Sequence, residues 1–467
     1  GAEDLSVLPT LTLADVLPEA DRCAIDMAVA GSAPPVPVQW RTTATNGISY
    51  FRAINDVRDK YPELRPYLPL FCDALTYLGT QTRDMAEIET DIRLHTGGIS
   101  FAPFVTTDLA NLRHIEAGVS FSSHCLDTHV ARMYELMMEL LRDTDFNNVK
   151  RLRALVAAQA SAMFNDVAGS GHAYARRLAA STLSPEAHAQ EAFAGLAQVK
   201  FITELARLQD LAPVVEKLRH VQSVVFNKLA VRAAVTTNPG AIDDNQRALE
   251  HSLLADYPVA QPQPSDVDPS KFTPQAKRIF CPMPFATNYA ARATSAVPYS
   301  HPDSVKLQLL AKYLTPNYLH REIREINGAY GGGAGYSAVQ GVFSFFSYRD
   351  PAPLATLKTF EKSLEWLASH EISDRELSEA KLSVFGDLDA PLAAADEGMA
   401  YFTAGITDDM RQERRERFFA VTTEDLKDVA YRYLASPEAR AASSVAVIGE
   451  QSVQVPQDWT TLRLDVE

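Results

Sequence analysis

Apolar and polar positions that alternate with period two mark strands, and a period near 3.6 marks helices. Residues 47–54 (GISYFRAI) predict a strand and 62–78 an apolar helix. A Thr-Gly-Gly turn at 96–98 separates these from alternating strands at 99–105 and 117–122. Helices are predicted over 128–142, 148–164 and 187–208, and a β-branched strand over 230–236. The same series then returns: a strand at 290–297, a helix from Asp303, a glycine-rich turn at 331–335, and strands reaching Val339 and spanning 341–348. Helices at 354–368, 373–385 and 423–434 and a closing strand at 443–448 complete the second series.

The two glycine turns lie about 235 residues apart, far longer than a solenoid period, so the pattern reads as a tandem duplication of one unit. Five prolines crowd residues 258–275 among Gln, Ser and Asp, as in an extended linker. This divides the chain into a first domain at 1–257, a linker at 258–275 and a second domain at 276–467. Hairpin-length connections and paired helices favour the α+β class: two related domains, each a mostly antiparallel sheet with helices packed on one face.

Composition narrows the function. The chain of 467 residues carries 44 Lys plus Arg against 59 Asp plus Glu, a net charge of −15. That balance argues against a nucleic-acid surface. No apolar run approaches the length needed to cross a bilayer, and residues 1–20 lack a signal-peptide pattern, so a soluble chain without membrane insertion is expected. The 4 cysteines are widely spaced, which favours a reducing compartment.

None of the 11 histidines sits in H-E-x-x-H or H-x-x-E-H, the arrangements that place two imidazoles and a carboxylate on one helical face. His114, Glu116, His124, Cys125, Asp127 and His129 cluster in sequence, but strand alternation sends neighbours to opposite faces, so polar strand ends are expected and no metal site. Gly169-Ser170-Gly171-His172 misses the G-x-S-x-G nucleophile pattern and reads as a loop. The glycines of Gly328–Gly335 lack a phosphate-loop motif. They serve either as a structural turn or as a segment that lets a backbone approach closely. Before them, Thr315-Pro316 predicts a helix restart with Leu319, Ile323 and Ile326 on its buried stripe. His320 and Arg324 share the adjoining face, near Tyr330.

The run Leu319-His-Arg-Glu-Ile-Arg-Glu-Ile-Asn-Gly-Ala-Tyr-Gly-Gly-Gly333 resembles the C-terminal half of the presequence-degrading branch of pitrilysin-type, inverted-motif zinc metalloproteases. Thr45–Ala53, Leu64–Cys72, Phe121–Asp127, Ser347–Pro351 and Glu379–Phe385 resemble the same branch. The resemblance implies half of a clamshell metalloendopeptidase that degrades presequences and other short unfolded peptides. In it, zinc and the general base belong to a partner N-terminal half carrying H-x-x-E-H, on the same precursor or a separate chain. This half then binds no metal and is inactive alone. By motif, Arg324 and Tyr330 take catalytic roles; by position on the same segment, His320 and Lys312 contact substrate, and Gly331, Gly332 and Gly333 bind it through close backbone approach. The implied compartment is the mitochondrial matrix, with a plastid as the alternative. The acidic total fits attraction of basic targeting peptides. The competing reading is a catalytically silent family member acting as a structural or peptide-binding subunit.

Overall fold

The computed structural model describes residues 11–58, 60–259, 263 and 271–464. Most of the linker expected at 258–275 lies outside the described residues. Six strands fall within the first part of the chain: β1 (Asp26–Ala30), β2 (Val36–Thr42), β3 (Ile48–Asp56), β4 (Ile99–Thr107), β5 (Ile115–Leu126) and β6 (Val231–Thr237). Six follow in the second: β7 (Arg278–Met283), β8 (Tyr289–Ser295), β9 (Gly331–Ser337), β10 (Val342–Tyr348), β11 (Ser444–Glu450) and β12 (Thr460–Thr461).

The sheets have the orders β1-β2-β6-β3-β5-β4 and β12-β7-β11-β8-β10-β9. Five strands correspond one to one. β2 and β6 pair in parallel, as do β7 and β11, and the pairings from there to the edge strands β4 and β9 are antiparallel. The repeated periodicity therefore reports a repeated topology, and the fold is α+β with mostly antiparallel sheets.

Each sheet has helices of its own series on one face. On the first, Phe51, Ala53, Val119 and Phe121 join a core with Leu70, Phe71, Met133 and Met137. On the second, Phe343 and Phe345 join Leu310, Leu314, Leu319 and Phe360. The opposite face of the second sheet is covered by the long helix Val149–Ala180, whose Val167, Tyr174, Ala175 and Leu178 pack with Tyr289, Ala291, Ala293 and Val342. In return, Met399 and Phe402 of the short helix Met399–Ala404 sit on Ile54 and Ala234 of the first sheet. The chain start also crosses over: Leu13 and Val16 pack on the second core, and Arg415 Nε donates to the Leu17 carbonyl at 2.9 Å.

Several expectations need correction. The glycine run is not a turn, because Gly331–Ser337 is strand β9 itself. Gly169–His172 is no loop. It lies inside helix Val149–Ala180, at a kink where Ser170 leaves helical geometry. The helix expected over 187–208 is two, Pro185–Ala194 and Leu196–Ala206, broken at Gly195. Leu319 and Ile323 are fully buried, but Ile326 is 63% exposed. Thr315–Ile326 is a π-helix, and its wider turn takes Ile326 off the stripe that an α-helix would give it. Pro316 lies one step inside that segment, where it cannot donate to the helical ladder and forces a break in the α-register.

Glu191 is buried beneath Gly195. Its Oε1 accepts from the Ala197 N–H at 3.1 Å, and Oε2 has no hydrogen-bond partner among the described residues. Burial pushes its pKa up to about 7. An unfolded Glu titrates near ~4.3, so the folded state binds the proton more tightly. The stability gained from that proton is complete below about pH 4.3 and is lost as pH rises through about 7. Glu191→Gln is expected to flatten the fall of the thermal unfolding midpoint between about pH 5 and 7.5. An unchanged slope in scanning calorimetry would refute this assignment.

Candidate functional site

Lys312 lies in helix Asp303–Leu314, which runs directly into the π-helical segment Thr315–Ile326 bearing His320 and Arg324. The segment ends in a tight return: the Asn327 N–H donates to the Glu322 carbonyl at 3.1 Å, and the Ala329 N–H to that of Ile323 at 3.1 Å. Gly328 makes the return possible at φ +79°, a region open to glycine. Tyr330 follows at once, so Arg324 and Tyr330 emerge from the two limbs of a single helix-to-strand junction.

The Tyr330 backbone is fixed and its hydroxyl is free. Its N–H is shared between the carbonyls of Tyr348 at 3.1 Å and Arg349 at 3.2 Å. Its ring meets that of Tyr348 edge-on, with centroids 5.7 Å apart. The residue is nevertheless 70% exposed. Arg324 and His320 are exposed too. Among the described residues, neither the Arg324 guanidinium nor the Tyr330 hydroxyl has an intramolecular partner. Lys312 differs, because its Nζ lies 2.6 Å from Asp387 Oδ2 and is already paired.

The three glycines separate into two roles. A Cβ on Gly332 would stand 2.7 Å from the Phe346 carbonyl oxygen and 2.9 Å from Ile323 Cγ2, and one on Gly333 would stand 3.0 Å from Thr315 Cγ2. Both spaces are taken by the chain's own helix and neighbouring strand. Gly331 alone of the three has open space around it. The centre of the β9 edge is likewise occupied: the Ala334 N–H donates to Thr315 Oγ1 at 3.0 Å, and that hydroxyl donates to the Ala311 carbonyl at 2.9 Å. What an incoming backbone can approach is the Tyr330 end of the strand.

Among the described residues, no group of three or more His, Cys, Asp or Glu side chains could hold a metal ion. The sequence cluster near β5 is dispersed. Glu116 pairs with Arg232 at 3.0 Å, His124 stacks on Tyr50, and His129 lies against His95. The described residues do not fit zinc. A cavity of about 1130 Å³ opens elsewhere, between the β4–β5 turn and helix Met399–Ala404, lined by Arg58, Arg113, His114, Arg232, Tyr401 and Phe402. It contains neither Arg324 nor Tyr330.

Sequence reasoning assigned no role to Tyr348 and Arg349, whose carbonyls hold Tyr330. Arg349 at φ +48° is a non-glycine residue in left-handed geometry, a feature invisible in composition.

Comparison with known proteins shows the family of the chain. A family model for the region associated with subfamily C of the M16 peptidases matches residues 1–205, and one described as "PreP C-terminal domain" matches residues 282–451. The chain belongs to the M16 peptidase family. Mitochondrial presequence protease of Xenopus laevis is 36% identical over 98% of this chain and 46% of its own length. The protein of the same name from Schizosaccharomyces pombe is 34% identical over 98% of this chain and 45% of its own length. The chain thus spans about half the length of the curated relatives it matches. A solved M16 peptidase inactive domain from Pseudomonas fluorescens superposes with TM-score 0.65 at 15% identity, covering 92% of this chain and 99% of that one. A Helicobacter pylori protease gives TM-score 0.65 at 14% identity, covering 91% and 99%. These two likenesses concern the fold alone.

Thr315→Val tests the closure of the β9 edge. Removing the hydroxyl leaves the Ala334 N–H without its acceptor, while the Ala311 carbonyl keeps the Thr315 N–H, and an unmet backbone donor typically costs about 1–3 kcal/mol. The Ala334 amide is expected to exchange with solvent faster by a corresponding factor, while exchange at β5 stays as it was. Equal protection of Ala334 in both proteins would show that the hydroxyl does not close the edge.

Proposed function

We propose that this M16 half is the zinc-free C-terminal half of a presequence-degrading metalloendopeptidase of the mitochondrial matrix, and that its modules at 1–257 and 276–467 form one wall of a closed peptide chamber. The observation that carries the reading is an exposed guanidinium and an exposed phenol, both without intramolecular partners among the described residues, at one glycine-cleared junction. Polar groups left open beside a rigid strand end are suited to receive something from outside the chain. The relatives' printed name, presequence protease, supports unfolded targeting peptides as that material.

On this reading, zinc and the general base belong to the partner N-terminal half, where the metal supplies water activation. The residues of this chain bind and orient. Arg324 offers a rigid fork of N–H donors and Tyr330 one O–H. Both donate to the scissile carbonyl oxygen as it gains negative charge, so their hydrogen bonds strengthen in the transition state. His320, on the same exposed helix face, contacts the peptide further along. Gly331 lets its backbone come close. Lys312, paired with Asp387, would reach substrate only by exchanging that partner. Gly332 and Gly333 act at one remove, by letting the helix that bears Arg324 lie against β9.

Mixing this chain with its N-terminal half is expected to create zinc-dependent cleavage of an unstructured basic peptide that neither shows alone. In the joined protein, Tyr330→Phe should lower kcat by about 10²- to 10³-fold, with Arg324→Ala at least as damaging. An unaltered kcat in Tyr330→Phe would remove the oxyanion role. Turnover or stoichiometric zinc in the isolated chain would overturn the division of labour. A joined protein that binds peptide without cleaving it would favour a silent binding subunit.

A further inference from the structure

The kink in helix Val149–Ala180 is built for something, because several groups converge to hold it. Gly171 sits so close to the Tyr289 ring that a Cβ would lie 2.2 Å from it. The Tyr289 hydroxyl donates to the Ala168 carbonyl, occupying an acceptor in the turn that Ser170 interrupts. Just before the kink, Asp166 accepts from the Tyr174 hydroxyl at 2.9 Å and from Ser170 at 3.3 Å.

What the kink delivers is His172. Its ring meets that of Tyr348 at 88° with centroids 4.8 Å apart, and Tyr348 in turn meets Tyr330 at 66° and 5.7 Å. Edge-to-face pairs at such separations are attractive and directional. His172 is flanked as well by Tyr289 at 6.4 Å and Phe346 at 6.1 Å. Its Nδ1 is buried with no hydrogen-bond partner among the described residues, so packing against rings, not a hydrogen bond at that nitrogen, sets the imidazole's direction. Burial, with Arg176 and Arg177 nearby, pushes the imidazole pKa down, which keeps the ring neutral for aromatic packing. Arg176 closes the same face, donating to Ser344 Oγ at 3.1 Å and lying over the Phe346 ring at 4.3 Å.

We infer that His172 is a positioning residue for Tyr330, acting through Tyr348, so that a helix of the first module aims the phenol carried by the second. This rests on the reading of Tyr330 as an oxyanion donor. Without the wedge formed by His172 and Tyr348, the 70% exposed Tyr330 side chain has a fixed backbone but an unconstrained ring. A hydroxyl that wanders by about an ångström loses much of its effect on a transition state.

The test uses the full two-half enzyme and a double-mutant cycle. His172→Leu keeps the volume and removes the aromatic edge. It is expected to lower kcat about tenfold with KM within about twofold, and His172→Phe is expected to restore most of the loss. In a Tyr330→Phe background the same His172→Leu change should add nothing, since no hydroxyl remains to aim. Tyr348→Leu, on the other side of the relay, must show the same pattern and carries the test if His172→Leu does not fold. An equal kcat loss in both backgrounds, a loss confined to KM, or no loss overturns the inference. A 3-fluorotyrosine at position 330 separates its failure from that of the underlying reading. If Tyr330→Phe leaves kcat unchanged, the donor role falls and the catalytic consequence with it. The ¹⁹F resonance must still shift in His172→Leu for the geometric relay to stand, and an unmoved resonance refutes it.

Discussion

The structure depends on one packing interaction, the passage of helix Val149–Ala180 across the second sheet. A sheet covered only by its own helices leaves its other face to water or to a partner. Here that face is filled from the first module, and β8 is buried at six of its seven positions as a result. Tyr289, Ala291 and Ala293 point to the visiting helix, while Phe343 and Phe345 of β10 point to the resident core. The small side chains of β8 let the helix approach closely, and the phenylalanines fill the wider space opposite. The two modules therefore share an interior. The long helix thus touches the strand that holds Tyr330, since Ser344, Phe346 and Tyr348 all lie on the face it covers.

The duplication was legible because its central strands alternate cleanly: Phe51 and Ala53 enter one core while Ile54 enters another. Elements that broke the alternation escaped. β2 contains Pro37 and β7 contains Pro282, residues that ordinarily argue against a strand. β1 is exposed at four of its five positions, including Met27 and Val29, and carries no inward face to read. The glycine run gave the opposite error. Without side chains it has no periodicity, so it suggested a turn, although tertiary packing makes it an edge strand with the helix Thr315–Ile326 laid against it. At Gly169–His172 the two glycines suggested a break in the helix, and they prove to be a kink inside it.

The site was legible only in part for a related reason. Residue types and spacing placed His320, Arg324 and Tyr330 near one another, but a solvated arginine and a packed tyrosine fit the same letters. Resemblance to a family supplied the roles. The shared carbonyls of Tyr348 and Arg349 that fix Tyr330 could not be foreseen, since they are backbone groups at the end of a neighbouring strand and just beyond it.

The duplicated topology offers an internal control on the meaning of the unpaired groups. In each series a helix leads into the edge strand: Met85–His95 into β4, Thr315–Ile326 into β9. In the first series the polar groups at this place satisfy one another. Asp91 is held by Arg132, by Arg83 at 3.0 Å and by His95 at 2.8 Å, and the Arg132 hydrogen bond leads the influences that take its carboxyl down to about 2. In the second series Arg324 faces water and the Tyr330 hydroxyl finds no partner in the described chain. Leaving such groups in solvent costs little, whereas burying them later without a partner would cost several kcal/mol. A junction of this kind is tolerable in an isolated half, and covering it is favourable only if hydrogen-bond acceptors arrive with the cover. On that reasoning, the same position in the fold is settled internally in one series and, among the described residues, left open in the other.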